Sequence, residues 1–226
     1  QHTFTAKGMY AVPGLKVVAP STPYMAKHLL LAALREQSPV IYLESRWLYK
    51  LKETMWDNGN VPLDKARILR LGEHVTIVAV ADMVLEALRA AKILESVGVS
   101  AEVIDLVSVY PIDIATIVES ADKTGQLVVV DASTPAFSCA HEILGAAAAY
   151  GMKSYISKTA ITCPDSACPT APSLTANYYQ TATTIAKACG HGIPERTYTF
   201  EELNLPSTEN IDNLLGFEYT SSNGII

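Results

Sequence analysis

The alternation of apolar and polar positions between residues 75 and 131 sets the framework. Residues 75–81 read VTIVAVA, an apolar run rich in β-branched side chains, the pattern of a strand buried on both faces. In residues 83–98, Val84, Leu85, Leu88, Ala91, Ile93 and Leu94 fall on one stripe, and Glu86, Arg89, Lys92 and Glu95 on the other. This spacing predicts an amphipathic helix, stopped by Gly98 where a left-handed cap costs least. Residues 101–109 (AEVIDLVSV) predict a second strand. Pro111 and Asp113 open a further helix, and 126–132 (QLVVVDA) predict a third buried strand. The β-α-β-α-β order with short connections predicts right-handed crossovers, a mainly parallel sheet and a three-layer α/β/α domain.

Upstream, LKVVAP predicts a short strand, with Thr22 as N-cap and Pro23 in the first position of a helix running to about Gln37. Ser38-Pro39 ends that helix and VIYLE predicts another strand, so residues 15–44 form a separate β-α-β unit. Residues 45–62 are polar and turn-rich. They predict a linker in which Trp47 and Trp56 pack on neighbouring parts of the chain. LDKARILRLG predicts an edge strand, and a boundary falls near residue 62. The expected division is 1–62, 63–189 and a C-terminal extension, 190–226. The start on Gln1, without Met or leader, is expected of a chain preceded by further sequence.

The 226 residues suffice for a full core, and 49% hydrophobic with 18% charged residues suits a packed protein. A net charge of −6 without any Lys/Arg run argues against a nucleic-acid surface. No apolar stretch reaches the ~18 residues of a membrane span, and no basic segment leads an apolar core as in a secretory signal. Cys139, Cys163, Cys168 and Cys189 match no zinc spacing, so buried thiols and no metal are expected. His28 is expected to be solvated on the charged side of its helix, His74 in a turn, His141 at a helix start and His191 in a loop. No nucleophile elbow surrounds Ser133, Thr134 or Ser138, which predicts loop and capping roles.

The segments PGLKVVAPSTPYMAKHLLLAALREQSPVIYLE, VPLDKARILRLGEHVTIVAVADMVLEAL, AEVIDLVSVYPID, KTGQLVVVDA and ITCPDSACPTAPSL occur in unbroken order through residue 189. Together they resemble the β subunits of 2-oxoacid dehydrogenase E1 components, the pyruvate and branched-chain type within the transketolase-like proteins. The resemblance implies a fragment of a pyrimidine-binding domain followed by a transketolase C-terminal-like domain. It implies thiamine diphosphate and magnesium in the full assembly and none in this chain alone, since the family glutamate that activates the cofactor precedes the PGLKVV segment. Glu36 and Glu44 follow that segment and do not match it.

Gln1-His2-Thr3 resembles a Gln-His-Ser segment of the family whose histidine lines the active-site channel. The resemblance therefore makes His2 the catalytic candidate, for proton transfer or charge stabilisation during decarboxylation and acyl transfer; a terminal histidine without a role is the alternative. Implied partners are an E1 α subunit, a second β chain across a two-fold interface, and the dihydrolipoyl acyltransferase core. Two positions depart from the family. Residues 136–139 (AFSC) replace its glycine-rich turn, and Tyr155 stands where an aspartate grips the acyltransferase. The implied location is cytoplasmic, or the mitochondrial matrix in a eukaryote. A non-catalytic assembly domain remains the other class of reading. With only one β-α-β unit of the first domain present, apolar strand faces and an open edge predict a homodimer. The extension is expected either as an arm on a partner or as a solvated tail.

Overall fold

The computed structural model describes residues 12–55, 60–175, 178–190 and Ile211. Strand β1 (Lys16–Val18) and strand β2 (Val40–Tyr42) run parallel, joined by helix α1 (Pro23–Arg35). The helix starts as its sequence predicts. Thr22 Oγ1 accepts the Met25 N–H at 3.2 Å, and Pro23 occupies the first turn, where a missing N–H loses no helical bond. It ends at Arg35 because Glu36 turns extended, two residues before Gln37.

The second unit runs β3 (Arg67–Arg70), β4 (Val75–Ala79), α2 (Met83–Glu95), β5 (Ala101–Asp105), β6 (Ser108–Tyr110), α3 (Ile114–Thr124), β7 (Gln126–Val130), α4 (Cys139–Tyr150) and β8 (Ser157–Ile161). The short α5 (Pro172–Thr175) and α6 (Ala182–Ala188) follow. Five strands form one sheet in the order β3-β5-β4-β7-β8, parallel except for β3, which pairs antiparallel with β5. The three strands expected from residues 75–131 thus share a sheet, and 67–70 is its edge strand. Alternation divides the side chains: Val75, Ile77 and Ala79 face α2 and α6, while Val78 and Val80 face α3 and α4. The result is three layers, as the pattern implies.

One expected strand is two. The run 101–109 breaks after Asp105, and Val107 adopts φ +58°. An apolar run alone does not show such a break, because left-handed backbone is unusual for a β-branched residue. The break sends β6 to the first unit, where it pairs antiparallel with β1 and completes a three-stranded sheet, β2-β1-β6. Residues 15–44 therefore pack on their own chain. Val17 and Ala19 join one core, and Val18, Met25 and Leu29 join another with Val61, Leu63 and Val107. In the linker, Trp47 is 70% exposed and meets Tyr179 edge-on at 6.2 Å. Trp56 lies outside the described residues.

Gly72 marks the tightest backbone approach. A Cβ there would come within 2.1 Å of the Glu102 nitrogen and 2.2 Å of the Ala101 carbonyl carbon. The Gly72 N–H also donates to Glu102 Oε2 at 3.2 Å, and this buried carboxylate further binds Ser120 and Lys123. Gly72→Ala should therefore force β3 off β5 and destabilise the fold by at least ~2 kcal/mol. Urea unfolding checks this; a midpoint within error of the parent protein would refute it.

Candidate functional site at the carboxyl ends of the strands

In the parallel part of the sheet β4 is flanked by β5 on one side and β7 on the other, so successive crossovers leave in opposite directions. Such a reversal opens a crevice beyond the carboxyl ends of the strands, the usual ligand position in open α/β sheets. Here it carries Asp82 after β4 and Asp131 after β7. Burial raises both carboxyl pKa values, and repulsion from Glu86 and Asp131 adds to the rise for Asp82, against a hydrogen bond from Ser45.

Most of that polarity is spent within the chain. Asp131 Oδ2 accepts the Ser133 hydroxyl at 2.6 Å and the Cys139 N–H at 2.8 Å, and Oδ1 accepts the Ser133 N–H at 3.1 Å. It thereby closes the 133–139 loop onto the N-terminus of α4, where a negative charge is favoured. Ser138 caps the same helix, and its Oγ lies 2.7 Å from His141 Nδ1. The capping role expected for Ser138 is observed, and Ser133 is a loop anchor. Burial pushes the Cys163 thiol up to about 12, so it is a poor nucleophile. None of the four cysteines is in a disulfide. Among the described residues, no three or more His, Cys, Asp or Glu side chains gather as a metal site.

A second polar centre joins the two units. Asp105, at the end of β5, is fully buried. Its Oδ2 accepts the Ser21 hydroxyl from the turn between β1 and α1, and Oδ1 accepts the Val107 N–H at 3.1 Å. Arg67 of β3 faces the same carboxylate, and its guanidinium lies 5.3 Å from the centre of the Tyr24 ring. Tyr24 in turn donates its N–H to Glu53 Oε2 at 2.7 Å. Residues from β1–α1, the linker, β3 and β5 thus converge on one buried cluster. Sequence reasoning missed Ser21, Arg67 and Asp105; the available signal was a lone aspartate inside an apolar run.

Expected site residues fall elsewhere. His2, the catalytic candidate, lies outside the described residues, as does His191. His28 corrects the expectation of a solvated side chain. It is buried, with its ring centre 4.3 Å from that of Tyr24, on the face of α1 that also buries Met25 and Leu29. His74 Nδ1 accepts the Ser100 N–H at 2.9 Å in a turn, as expected. Glu44 Oε2 accepts the Tyr49 hydroxyl at 2.9 Å, and Tyr155 is exposed.

Asp105 also gives the seam a pH dependence. Burial raises its pKa to about 6, against the opposing influence of Ser21, Arg67 and the Val107 N–H. The unfolded carboxyl titrates near ~4, so between these values the folded chain holds a proton that the unfolded chain has lost. Stability should fall as pH rises from about 4 to about 6, by up to ~3 kcal/mol, and then level off. In Asp105→Asn that slope should flatten, as measured by denaturant unfolding across the range; an unchanged slope would show that another group carries it.

The description "Transketolase, C-terminal domain" matches residues 64–185, and "Transketolase, pyrimidine binding domain" matches residues 1–52. Among curated relatives, the β subunit of acetoin:2,6-dichlorophenolindophenol oxidoreductase from Cupriavidus necator is 38% identical over 179 residues, covering 78% of this chain and 53% of the relative. The pyruvate dehydrogenase E1 component β subunit of Bacillus subtilis is 45% identical over 132 residues, covering 57% of this chain and 41% of the relative. A solved structure described as a split-gene transketolase, an inactive beta4 tetramer, superposes with a TM-score of 0.69 at 25% identity, covering 82% of this chain and 59% of that one. The chain spans about half the length of the curated relatives it matches. With the carboxyl-end architecture and both matches in order, the chain belongs to the family of the transketolase C-terminal domain, preceded by a segment of the pyrimidine-binding domain.

Proposed function

We propose that this chain is the β-type part of a thiamine-diphosphate-dependent 2-oxoacid dehydrogenase E1 enzyme, which oxidatively decarboxylates a 2-oxo acid and passes the acyl group to lipoyl. The supporting observation is the order of the two matches on a chain whose pyrimidine-binding segment is built into the following domain through β1–β6 pairing and the Asp105 cluster. The functional division is 1–62, 63–189 and 190–226. The working unit pairs an E1 α subunit with this chain and a second copy of it, in the cytoplasm or, in a eukaryote, the mitochondrial matrix. No helix among the described residues is long and apolar enough to cross a membrane.

Thiamine diphosphate with magnesium needs a phosphate cradle and an oxygen-rich metal site. Among the described residues no metal site gathers, and the two crevice carboxyl groups do not suit a diphosphate, Asp131 being bonded to its own loop and Asp82 to Ser45. They do not by themselves fit the cofactor, and no chemical step is derived through it. Tyr155, exposed and uncharged, also lacks the carboxylate with which the pyruvate-type family grips its acyltransferase.

Acetoin is a second substrate reading, favoured because the acetoin relatives align over 179 and 186 residues against 132 for the Bacillus subtilis pyruvate enzyme. Dye reduction by the complete protein that carries this chain, paired with an E1 α subunit and run with pyruvate, branched-chain 2-oxo acids and acetoin, decides between them; turnover of none would sink the proposal. Calorimetry on this chain alone should show no saturable micromolar binding of thiamine diphosphate and magnesium. His2→Ala in the active assembly should lower kcat by about 10²-fold or more if its imidazole moves a proton, whereas unchanged turnover would leave His2 without a catalytic role.

A further inference from the structure

Ile211 lies beyond both family matches, in the extension, yet it is only 1% exposed. It belongs to the buried apolar cluster that covers one face of the five-stranded sheet and includes Ile93 and Leu94 of α2 and Ile185 and Cys189 of α6; Leu48 and Leu51 of the linker pack against that cluster. Its N–H donates to the Lys52 carbonyl at 3.1 Å. One residue thus combines a filled apolar position with a main-chain hydrogen bond, the combination by which a segment is recognised when it docks beside another backbone. Lys52 adjoins Glu53, the carboxylate that accepts the Tyr24 N–H at the start of α1 and faces Arg67.

We propose that the slot bounded by Leu48, Leu51, α2 and α6 is a docking site for an aliphatic side chain whose N–H reaches Lys52, and that Ile211 of the same chain occupies it. Occupancy fixes the linker between the two units and keeps Glu53 at the end of α1. Ile211 is then an anchor that holds the linker against the C-terminal domain. Isoleucine suits the slot because the groups named around it are aliphatic or thiol, and a carboxylate there would be buried without a partner.

Limited trypsin digestion of the full chain tests this, reading cleavage after Lys50 and Lys52, both exposed, against cleavage after Lys92 and Lys123 in α2 and α3. Ile211→Val should match the parent protein. Ile211→Asp and the milder Ile211→Ala should speed cleavage at the linker bonds by tenfold or more, with little change in the helices. A synthetic peptide spanning residues 205–217 should restore protection of the linker in Ile211→Ala, saturably. Unchanged linker cleavage in Ile211→Asp would overturn the proposal. So would uniform acceleration at all four bonds in Ile211→Ala with no peptide rescue, since that is general unfolding. Protection in the parent protein that disappears on dilution would place a second copy's segment in the slot and overturn occupancy in cis. The test needs no cofactor or α subunit, so its failure and that of the E1 reading are separable.

Discussion

A carboxylate shut away from water must find its hydrogen bonds inside the chain, and Asp105 finds them on both sides of a seam. Ser21 comes from the N-terminal unit, while the Val107 N–H comes from the turn immediately downstream. Satisfying the second bond draws the backbone back on itself and accompanies the left-handed Val107. The chain then leaves the five-stranded sheet, and Ser108–Tyr110 becomes available to pair with β1. The Val107 carbonyl accepts the Ala19 N–H at 2.9 Å, adding a main-chain bond at the same seam. Buried charged groups of this kind are weak evidence of net stability, since desolvation opposes the attraction. Their clearer effect here is geometric: one pairing of the two units satisfies Asp105.

The other carboxyl-end group shows the same economy in a different place. Asp131 sits where an open α/β sheet ordinarily presents its ligand crevice, but its oxygens hold the 133–139 loop and the first turn of α4. The position matched to the family's glycine-rich turn instead contains Phe137 at φ +56°, a strained conformation for an aromatic residue, with its ring exposed. A loop anchored by a buried aspartate can keep such a residue in place. Two acidic groups at this end of the sheet do not suit a phosphate-bearing ligand, and Asp131 serves loop closure where other folds of this layout bind nucleotides.

Most of the five-stranded domain was legible from period alone. The runs 75–81, 101–105 and 126–130 are strands because continuous apolar sequence suits a sheet covered on both faces, and α2 buries the stripe its spacing marks. Thr22-Pro23 announced its helix through chemistry that acts within one turn, whereas the helix expected to begin at His141 starts at Cys139, capped by Ser138. What sequence did not show depends on distant partners. The split of 101–109 follows from bonds that Asp105 makes to Ser21, 84 residues away, and to its own turn. His28 reads as solvated on the charged side of its helix, and only the fold buries it beside Tyr24. The seam residues Ser21, Arg67 and Asp105 belong to three separate segments, so no local spacing could join them. The resemblance supplied the family and the cofactor class, while His2 stands outside the described residues.

The N-terminal unit shows why such distant bonds matter. Its own strands β1 and β2 have three residues each, too few for an independent sheet, and α1 leaves Leu30, Leu31 and Leu34 exposed. Order in this unit must therefore come from the domain: from β6, from the shared core around Met25 and Leu63, and from Asp105 and Glu53. Among the described strands β2 keeps one backbone edge unpaired. An edge of that kind adds a further strand readily, whether from the same polypeptide or another. The seam fixes the β1–β6 side of the unit, and the β2 edge lies on the side away from it.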